Sequence, residues 1–337
     1  MIRRAMPAVL AAMLVVVLSA CGERKEPTDG AGAAERVDLV LDYIPNADHA
    51  GIYTAIGTGE FKAARLDVRA RTPSDPAAPL KLLAAGRADL AISYEPELLL
   101  ARAKGAKLVA IGALVQKPLT SIVSLGSRGI DKPAQLERKK IGTAGIPYQD
   151  AYLKTILAQA GVASERVRSV NVGFNLVPAI VSKRVDAVLG AFWNVEGVEL
   201  KRRKRDPHIL RVEKIGVPTY NELVIVAREQ DARSRGPLLR RFMRALGRGH
   251  ERLREHTGLG VNELVKADRN LKRGLLRAQI KATLPVFFPS SSKRPFGFQN
   301  PRDWRRYAKW MFDRDLLDRP QNADRAFTNE FLPGEGI

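Results

Sequence analysis

The chain predicts an α/β protein of two lobes, each built on a mostly parallel sheet. Three observations predict this. Its 337 residues, 45% of them hydrophobic, carry more apolar side chains than one core usually holds, so two lobes are the expected arrangement. From Val37 to about Ala227, short β-branched runs alternate with longer amphipathic ones, the pattern of strand and helix units. Two apolar runs, TSIVSL at 120–125 and ELVIVA at 222–227, stand apart between blocks of such units. With 122–225 as one lobe and 37–121 plus 226–337 as the other, these runs are the two strands on which the chain crosses between lobes. That geometry permits hinge closure over a ligand cleft.

The first element is a leader. Arg3 and Arg4 precede an uncharged stretch from Ala5 to Ala20, followed by the end of LSAC, which gives a basic n-region, an apolar h-region and a small-residue cleavage site. The uncharged stretch is shorter than the ~20 residues a spanning helix needs. Leu18-Ser19-Ala20-Cys21 resembles the lipobox of bacterial lipoproteins, so 1–21 is predicted to be a lipoprotein signal peptide and Cys21 the lipidated residue. The lone cysteine leaves none for a disulfide, a metal cage or a thiol nucleophile. Residues 22–36, beginning GERKEPTDGAGAAE, are small and polar and read as a flexible tether to a membrane through the lipid anchor.

Strands are predicted at 37–42, 66–71, 88–92, 107–113, 140–143, 167–170, 185–189 and 208–212. Helices are predicted near 48–57, 76–84, 96–103, 149–160, 175–182 and 194–203, several bounded by Gly or Pro. After 228 the pattern is helical as far as a loop, FFPSSSKRPFGFQNP at 287–301, and a last helix follows around Trp304–Leu317. No internal repeat is visible.

A net charge of +20, with KRRKR at 201–205 and an arginine-rich run at 233–256, invites a nucleic-acid reading. Against it, Leu239, Phe242, Met243, Leu246 and Leu253 recur at helical spacing, with most arginines on the other face. Aromatic residues make up 6% and no zinc-ligand spacing occurs, so the basic face reads as solvated, or as resting against anionic lipid or a membrane partner, with no nucleic-acid partner.

LDYIPNADHAGIYTAIGTGEF (41–61), the segment from LKLLAAGRADLAISYEPELLL onward (80–125), KIGTAGIPYQDAYLKTIL (140–157) and GAFWNVEGVELK with GVPTYNELVIVA resemble, in order and spacing, the solute-binding lipoproteins of ABC importers for thiamine pyrimidine precursors. This family is related to the fungal pyrimidine-precursor synthases and to alkanesulfonate- and nitrate-binding proteins. The resemblance covers roughly 37–230 and implies a type 2 periplasmic-binding-protein fold, with the body of the protein on the extracytoplasmic side. It implies a ligand of the formyl-aminopyrimidine or hydroxymethylpyrimidine class handed to an ABC permease, no cofactor and no enzyme activity. Riboflavin or another flat heterocycle, or a sulfonate or nitrate, are the alternative solutes. Where the synthases carry a lysine and, four residues on, a histidine, this chain has Ser93 and Glu97, and their cysteine-rich iron motif has no counterpart.

Candidate ligand-binding residues lie where strands end and helices begin, because helix N-termini there offer free N–H groups. After the first strand come Asp42, Tyr43, Asn46 and His49. The resemblance places an aromatic wall at Tyr43, Asn46 is either a helix cap or a contact, and His49 is either ligand-facing or structural. SYEPE supplies Ser93, Tyr94 and Glu95, again as caps or contacts. GTAGIPYQDAY supplies Gly145 and Tyr148 at a turn that lacks the P-loop's Gly-Lys-Ser/Thr. GAFWNVEG supplies Trp193, Asn194 and Glu196, a ring to stack on a heterocycle beside a carboxylate to accept from its amine. Tyr220 is expected to reach the cleft from the hinge.

Overall fold

The computed structural model describes residues 33–288 and 294–334. The leader, Cys21 and most of the tether therefore lie outside the described residues. The tether predicted to run to 36 ends sooner, since β1 (Glu35–Val40) already includes Glu35.

The first block contains α1 (Ala50–Gly57), α2 (Glu60–Ala63), β2 (Leu66–Arg71), α3 (Pro79–Ala84), β3 (Leu90–Ser93), α4 (Glu95–Ala103) and β4 (Leu108–Val115). The middle block runs β5 (Thr120–Leu125), β6 (Lys140–Thr143), α5 (Pro147–Gln159), β7 (Arg168–Asn171), α6 (Leu176–Val181), β8 (Ala187–Phe192), α7 (Glu196–Arg202) and β9 (Pro207–Arg211). The chain then returns through β10 (Leu223–Arg228) to the helices α8 (Glu229–Ser234), α9 (Gly236–Glu255), α10 (Thr257–Ala267), α11 (Arg273–Phe287) and α12 (Pro301–Asp313).

Two five-stranded sheets result, ordered β2-β1-β3-β10-β4 and β7-β6-β8-β5-β9. Each is mixed, with four strands running one way and a single strand against them. In the first, β1 pairs parallel with β2 and β3, while β10 runs antiparallel to β3 and β4. In the second, β6 pairs parallel with β7 and β8, while β5 runs antiparallel to β8 and β9. The reason is geometric. The parallel strands end at the cleft, so a chain arriving from the other lobe enters its new sheet from the cleft side and must run the opposite way. β4, β5 and β10 are buried almost throughout, as their unbroken apolar runs require of strands covered on both faces.

The edge of β4 is closed by the C-terminal segment: Ala110 N–H donates to Ala326 O at 2.8 Å and Thr328 N–H to Ala110 O at 2.8 Å. α9 buries Leu239, Phe242, Met243, Leu246 and Leu253 as its spacing predicts. Gly249 lets α9 approach α1 closely, since a Cβ there would lie 2.4 Å from that of Ala55. On the other face Arg248 and Arg252 both pair with Glu60, itself buried.

The two crossings are tied together by one side chain. Glu222 is fully buried and accepts from Leu119 N–H at 2.6 Å, Thr120 N–H at 2.8 Å, the Thr120 hydroxyl at 2.8 Å and the Tyr220 hydroxyl at 3.0 Å. Burial outweighs these donors and pushes its pKa up to about 7. Replacing Glu222 with Ala strands two buried backbone N–H groups at about 1–3 kcal/mol each, so chemical denaturation should show a loss of ~3 kcal/mol or more. Glu222→Gln keeps one acceptor oxygen and should lose less than half of that. Equal stability of Glu222→Ala and the wild type would remove Glu222 from this role.

Candidate functional site

β1 and β3 are parallel neighbours, so the residues following each come together at the cleft end of the first sheet. Asp42 follows β1 and Tyr94 follows β3. The Tyr94 hydroxyl donates to Asp42 Oδ2 at 2.8 Å, and His49 Nε2 lies 2.8 Å from Asp42 Oδ1. His49 Nδ1 accepts from the Asn46 backbone N–H at 3.2 Å, which leaves Nε2 as the protonated nitrogen that donates to Asp42. Both ring nitrogens are thus engaged, and His49 is fully buried behind Asp42. It orients the carboxylate and does not face the cavity. Asn46 accepts from Asp48 N–H at 2.8 Å, so it caps the short turn Ala47–His49 that precedes α1 while also lining the cavity.

The second sheet contributes the opposite wall. Gly145, at φ 78°, turns the chain between β6 and α5, and a Cβ there would meet the Asn171 side chain at 2.3 Å. Pro147 opens α5, a favourable first helical position, and brings Tyr148 and Gln149 to the cavity. β8 delivers Gly190 and Phe192, and Glu196 opens α7. Glu196 Oε2 accepts from Phe192 N–H at 2.7 Å. Burial raises the Glu196 pKa to about 7, although the side chain keeps partial solvent access through the cavity.

The resulting cavity, which leaves only about 10 Å³ of free room as the lobes stand, has Asp42, Tyr43, Asn46 and Tyr94 on one side and Ala144, Ile146, Tyr148, Gln149, Gly190, Phe192 and Glu196 on the other. Two carboxyl groups, one from each lobe, and four aromatic rings face one small space. The lobes also touch around it. The Tyr43 hydroxyl donates to Gly173 O at 3.4 Å and its ring meets Phe174 edge-on at 4.8 Å, while Tyr94 and Tyr148 lie 5.3 Å apart. The chemistry of this lining suits a flat ring that carries hydrogen-bond donors, and its two acids oppose an anion.

Asp42, Tyr43, Asn46, Tyr94, Tyr148 and Glu196 therefore line one cavity, and the remaining predicted residues take other places. Trp193 points away from it. Its Nε1–H donates to Pro118 O at 3.3 Å and the Arg211 guanidinium sits 4.1 Å over its ring, so its flat face is already covered. The neighbouring Phe192 lines the cavity instead, because side chains alternate faces along β8. Asn194 donates to Asp48 Oδ1 at 2.6 Å and to the Thr283 hydroxyl at 2.7 Å, a buried link from the β8–α7 turn to the first lobe. Gln279 of α11 reinforces it by donating to Val195 O at 3.0 Å. The Ser93 hydroxyl donates to Glu97 at 3.0 Å. Tyr220 lies in a buried ring cluster with Tyr152 and Tyr307. Gln149, at the start of α5, also lines the cavity, as do Ala144, Ile146, Gly190 and Phe192, none of which is among the candidate ligand-binding residues read from the sequence.

Glu95 accepts from Asn221 N–H at 2.7 Å and from Asn221 Nδ2 at 2.6 Å, which joins α4 to the second crossing and turns it off the cavity. Burial raises its pKa from 4.5 to about 8. Among the described residues, no three His, Cys, Asp or Glu side chains gather in a way that could hold a metal ion, and no helix is long and apolar enough to cross a membrane.

Residues 46–257 match the family model described as NMT1/THI5 like. The formylaminopyrimidine-binding protein of Halalkalibacterium halodurans is 33% identical over 319 residues, covering 94% of this chain and 96% of that one. The 4-amino-5-hydroxymethyl-2-methylpyrimidine phosphate synthase of Legionella pneumophila is 24% identical over 301 residues, covering 88% and 92%. In three dimensions the chain is similar to the alkanesulfonate-binding protein of Xanthomonas axonopodis pv. citri bound to MOPS, with a TM-score of 0.68 at 17% identity over 88% of this chain and 99% of that one. That likeness identifies the periplasmic-binding-protein fold, with its two α/β lobes.

The raised Glu95 pKa predicts a pH dependence. Between 4.5 and about 8 the folded chain holds this proton while the unfolded chain has lost it, so the stability it contributes is complete below 4.5 and is lost as pH rises through about 8. Glu95→Gln, which keeps the acceptor for Asn221, should match the wild type near the lower limit and gain on it steadily towards the upper one. Denaturation midpoints that differ by a constant amount across the range would contradict this.

Proposed function

The chain belongs to the NMT1/THI5 like family, and from that premise we propose that it is the solute-binding component of an ABC importer, holding an aminopyrimidine thiamine precursor of the formylaminopyrimidine type between its lobes. The observation that carries the reading is the pairing of Asp42 and Glu196, one carboxyl group from each lobe, across a cavity walled by Tyr43, Tyr94, Tyr148 and Phe192. A 4-aminopyrimidine offers a flat face to those rings and an exocyclic amine to a carboxyl oxygen. The similarity to a formylaminopyrimidine-binding protein over 94% of this chain supports the same ligand class. Sulfonate or nitrate is disfavoured by the two acids, Asp42 and Glu196.

A carrier is favoured over a synthase. Ser93 and Glu97, which stand where the synthases are expected to carry lysine and histidine, hydrogen-bond to each other outside the cavity. His49 has both ring nitrogens occupied and is not free to act as a base. The LSAC sequence supports attachment to a membrane through Cys21, where a lipid-anchored carrier would meet its permease.

Calorimetric titration with formylaminopyrimidine tests the assignment. A hydrogen bond to a charged group contributes about 1.5–3 kcal/mol, so Glu196→Gln should weaken binding by roughly ten-fold to a hundred-fold. Trp193→Ala should change affinity by less than about three-fold, because Phe192 and not Trp193 lines the cavity. A wild-type dissociation constant retained by Glu196→Gln, or a larger loss in Trp193→Ala, would count against this site.

A further inference from the structure

Of the groups that line the cavity, Gln149 has a side chain whose hydrogen bonding the protein leaves half complete. It is the third residue of α5 and is 1% exposed. Its Oε1 accepts from Ala144 N–H at 2.9 Å, which fixes the orientation of the amide, because only the oxygen can take that donor. The Nε2 group is thereby turned towards Gly190 and the cavity. It is buried with no hydrogen-bond acceptor among the described residues. The Tyr148 hydroxyl is near enough to be influenced by the amide but stands outside hydrogen-bonding geometry. Gly190, at φ 100°, makes the room: a Cβ there would lie 2.1 Å from Nε2. A buried unpaired donor costs about 1–3 kcal/mol and calls for an explanation. Here it opens onto a space in which the charged groups, Asp42 and Glu196, are acceptors.

We propose that Gln149 is a specificity-determining residue that donates from Nε2 to an acceptor on the ligand, so that the cleft selects a molecule carrying an acceptor as well as donors. The inference rests on the aminopyrimidine reading and sharpens it. Asp42 and Glu196 alone would accept any compact aromatic amine. With Gln149 they demand a ring nitrogen or a carbonyl as well, and a formylated 4-aminopyrimidine has both. The amide's position, held by α5 from the second lobe, means that the acceptor is engaged when that lobe meets the ligand.

Titrations of the wild type, Gln149→Met and Gln149→Glu with formylaminopyrimidine, and with the same aminopyrimidine lacking the formyl group, test the proposal. Gln149→Met should bind formylaminopyrimidine about ten-fold more weakly, the effect of one hydrogen bond. Gln149→Glu keeps an oxygen for Ala144 N–H but loses the donor, and it should lose at least as much while its circular dichroism and melting temperature stay near the wild type. That combination is one a purely structural role would not produce. If the difference between wild type and variants vanishes with the deformylated compound, the acceptor is the carbonyl; if it persists, the acceptor is a ring nitrogen. Either result upholds the donor role. Wild-type affinity for formylaminopyrimidine in both folded variants would overturn it and leave the aminopyrimidine reading standing, whereas a wild-type chain that binds neither compound would remove both.

Discussion

An ionisable carboxyl group inside a protein must find donors or keep its proton, and around the cleft of this chain that requirement organises the fold. Asp42, Asp48, Glu95, Glu97, Glu196 and Glu222 lie inside or at the edge of the interior, where an unsatisfied charge costs several kcal/mol. Most are satisfied by donors from a different segment. Glu222 draws on the first crossing, Glu95 on the second, Asp48 on Asn194 of the opposite lobe, and Asp42 on His49 and Tyr94. The acids therefore join segments that the chain order keeps far apart. Asp42 and Glu196 also face the cavity. The same chemistry that holds the lobes together there becomes available to a ligand.

The topology explains why those acids meet. Both sheets point the carboxyl ends of their parallel strands at the cleft, and the crossing chain enters each sheet as its antiparallel member, β5 in one and β10 in the other. The crossings and the cavity lining are consequently built from neighbouring residues. Phe192, at the end of β8, pairs with Thr120, which in turn donates to Glu222. The cavity between Glu196 and Asp42 therefore lies close to the two crossings. The helices α11 and α12 belong to the first lobe in sequence but reach the second, through Gln279 on Val195 and through Tyr307 beside Tyr152. The tail is thus part of the interface around the cleft and not an appendage.

Much of this was legible in the sequence, for physical reasons. Strand and helix alternation, the two isolated apolar runs and the amphipathic run at 233–256 each report a burial pattern, and burial pattern is what hydrophobic periodicity encodes. Strand ends marked Asp42, Tyr94 and Glu196 because a polar residue after an apolar run faces the end of a sheet. Side-chain direction was harder to read. Trp193 and Phe192 are adjacent, and one residue of register decides which faces the cavity. Asn46 and Asn194 carry the same amide, yet one caps a turn beside the cavity and the other bridges lobes, a difference set by residues more than 80 positions away. The two sheets share one strand order without a sequence repeat to announce it, because topology constrains the pattern of burial and not the identity of the residues.

In the proposed complex a flat aminopyrimidine lies between the two lobes with Asp42 and Glu196 on its edges. A crystal structure of the chain grown with formylaminopyrimidine tests this most directly. Density for the ring is expected among Tyr43, Tyr94, Tyr148 and Phe192, with a ligand nitrogen within hydrogen-bond distance of Glu196. Density for the compound elsewhere on the chain, with this cavity holding only solvent, would contradict it.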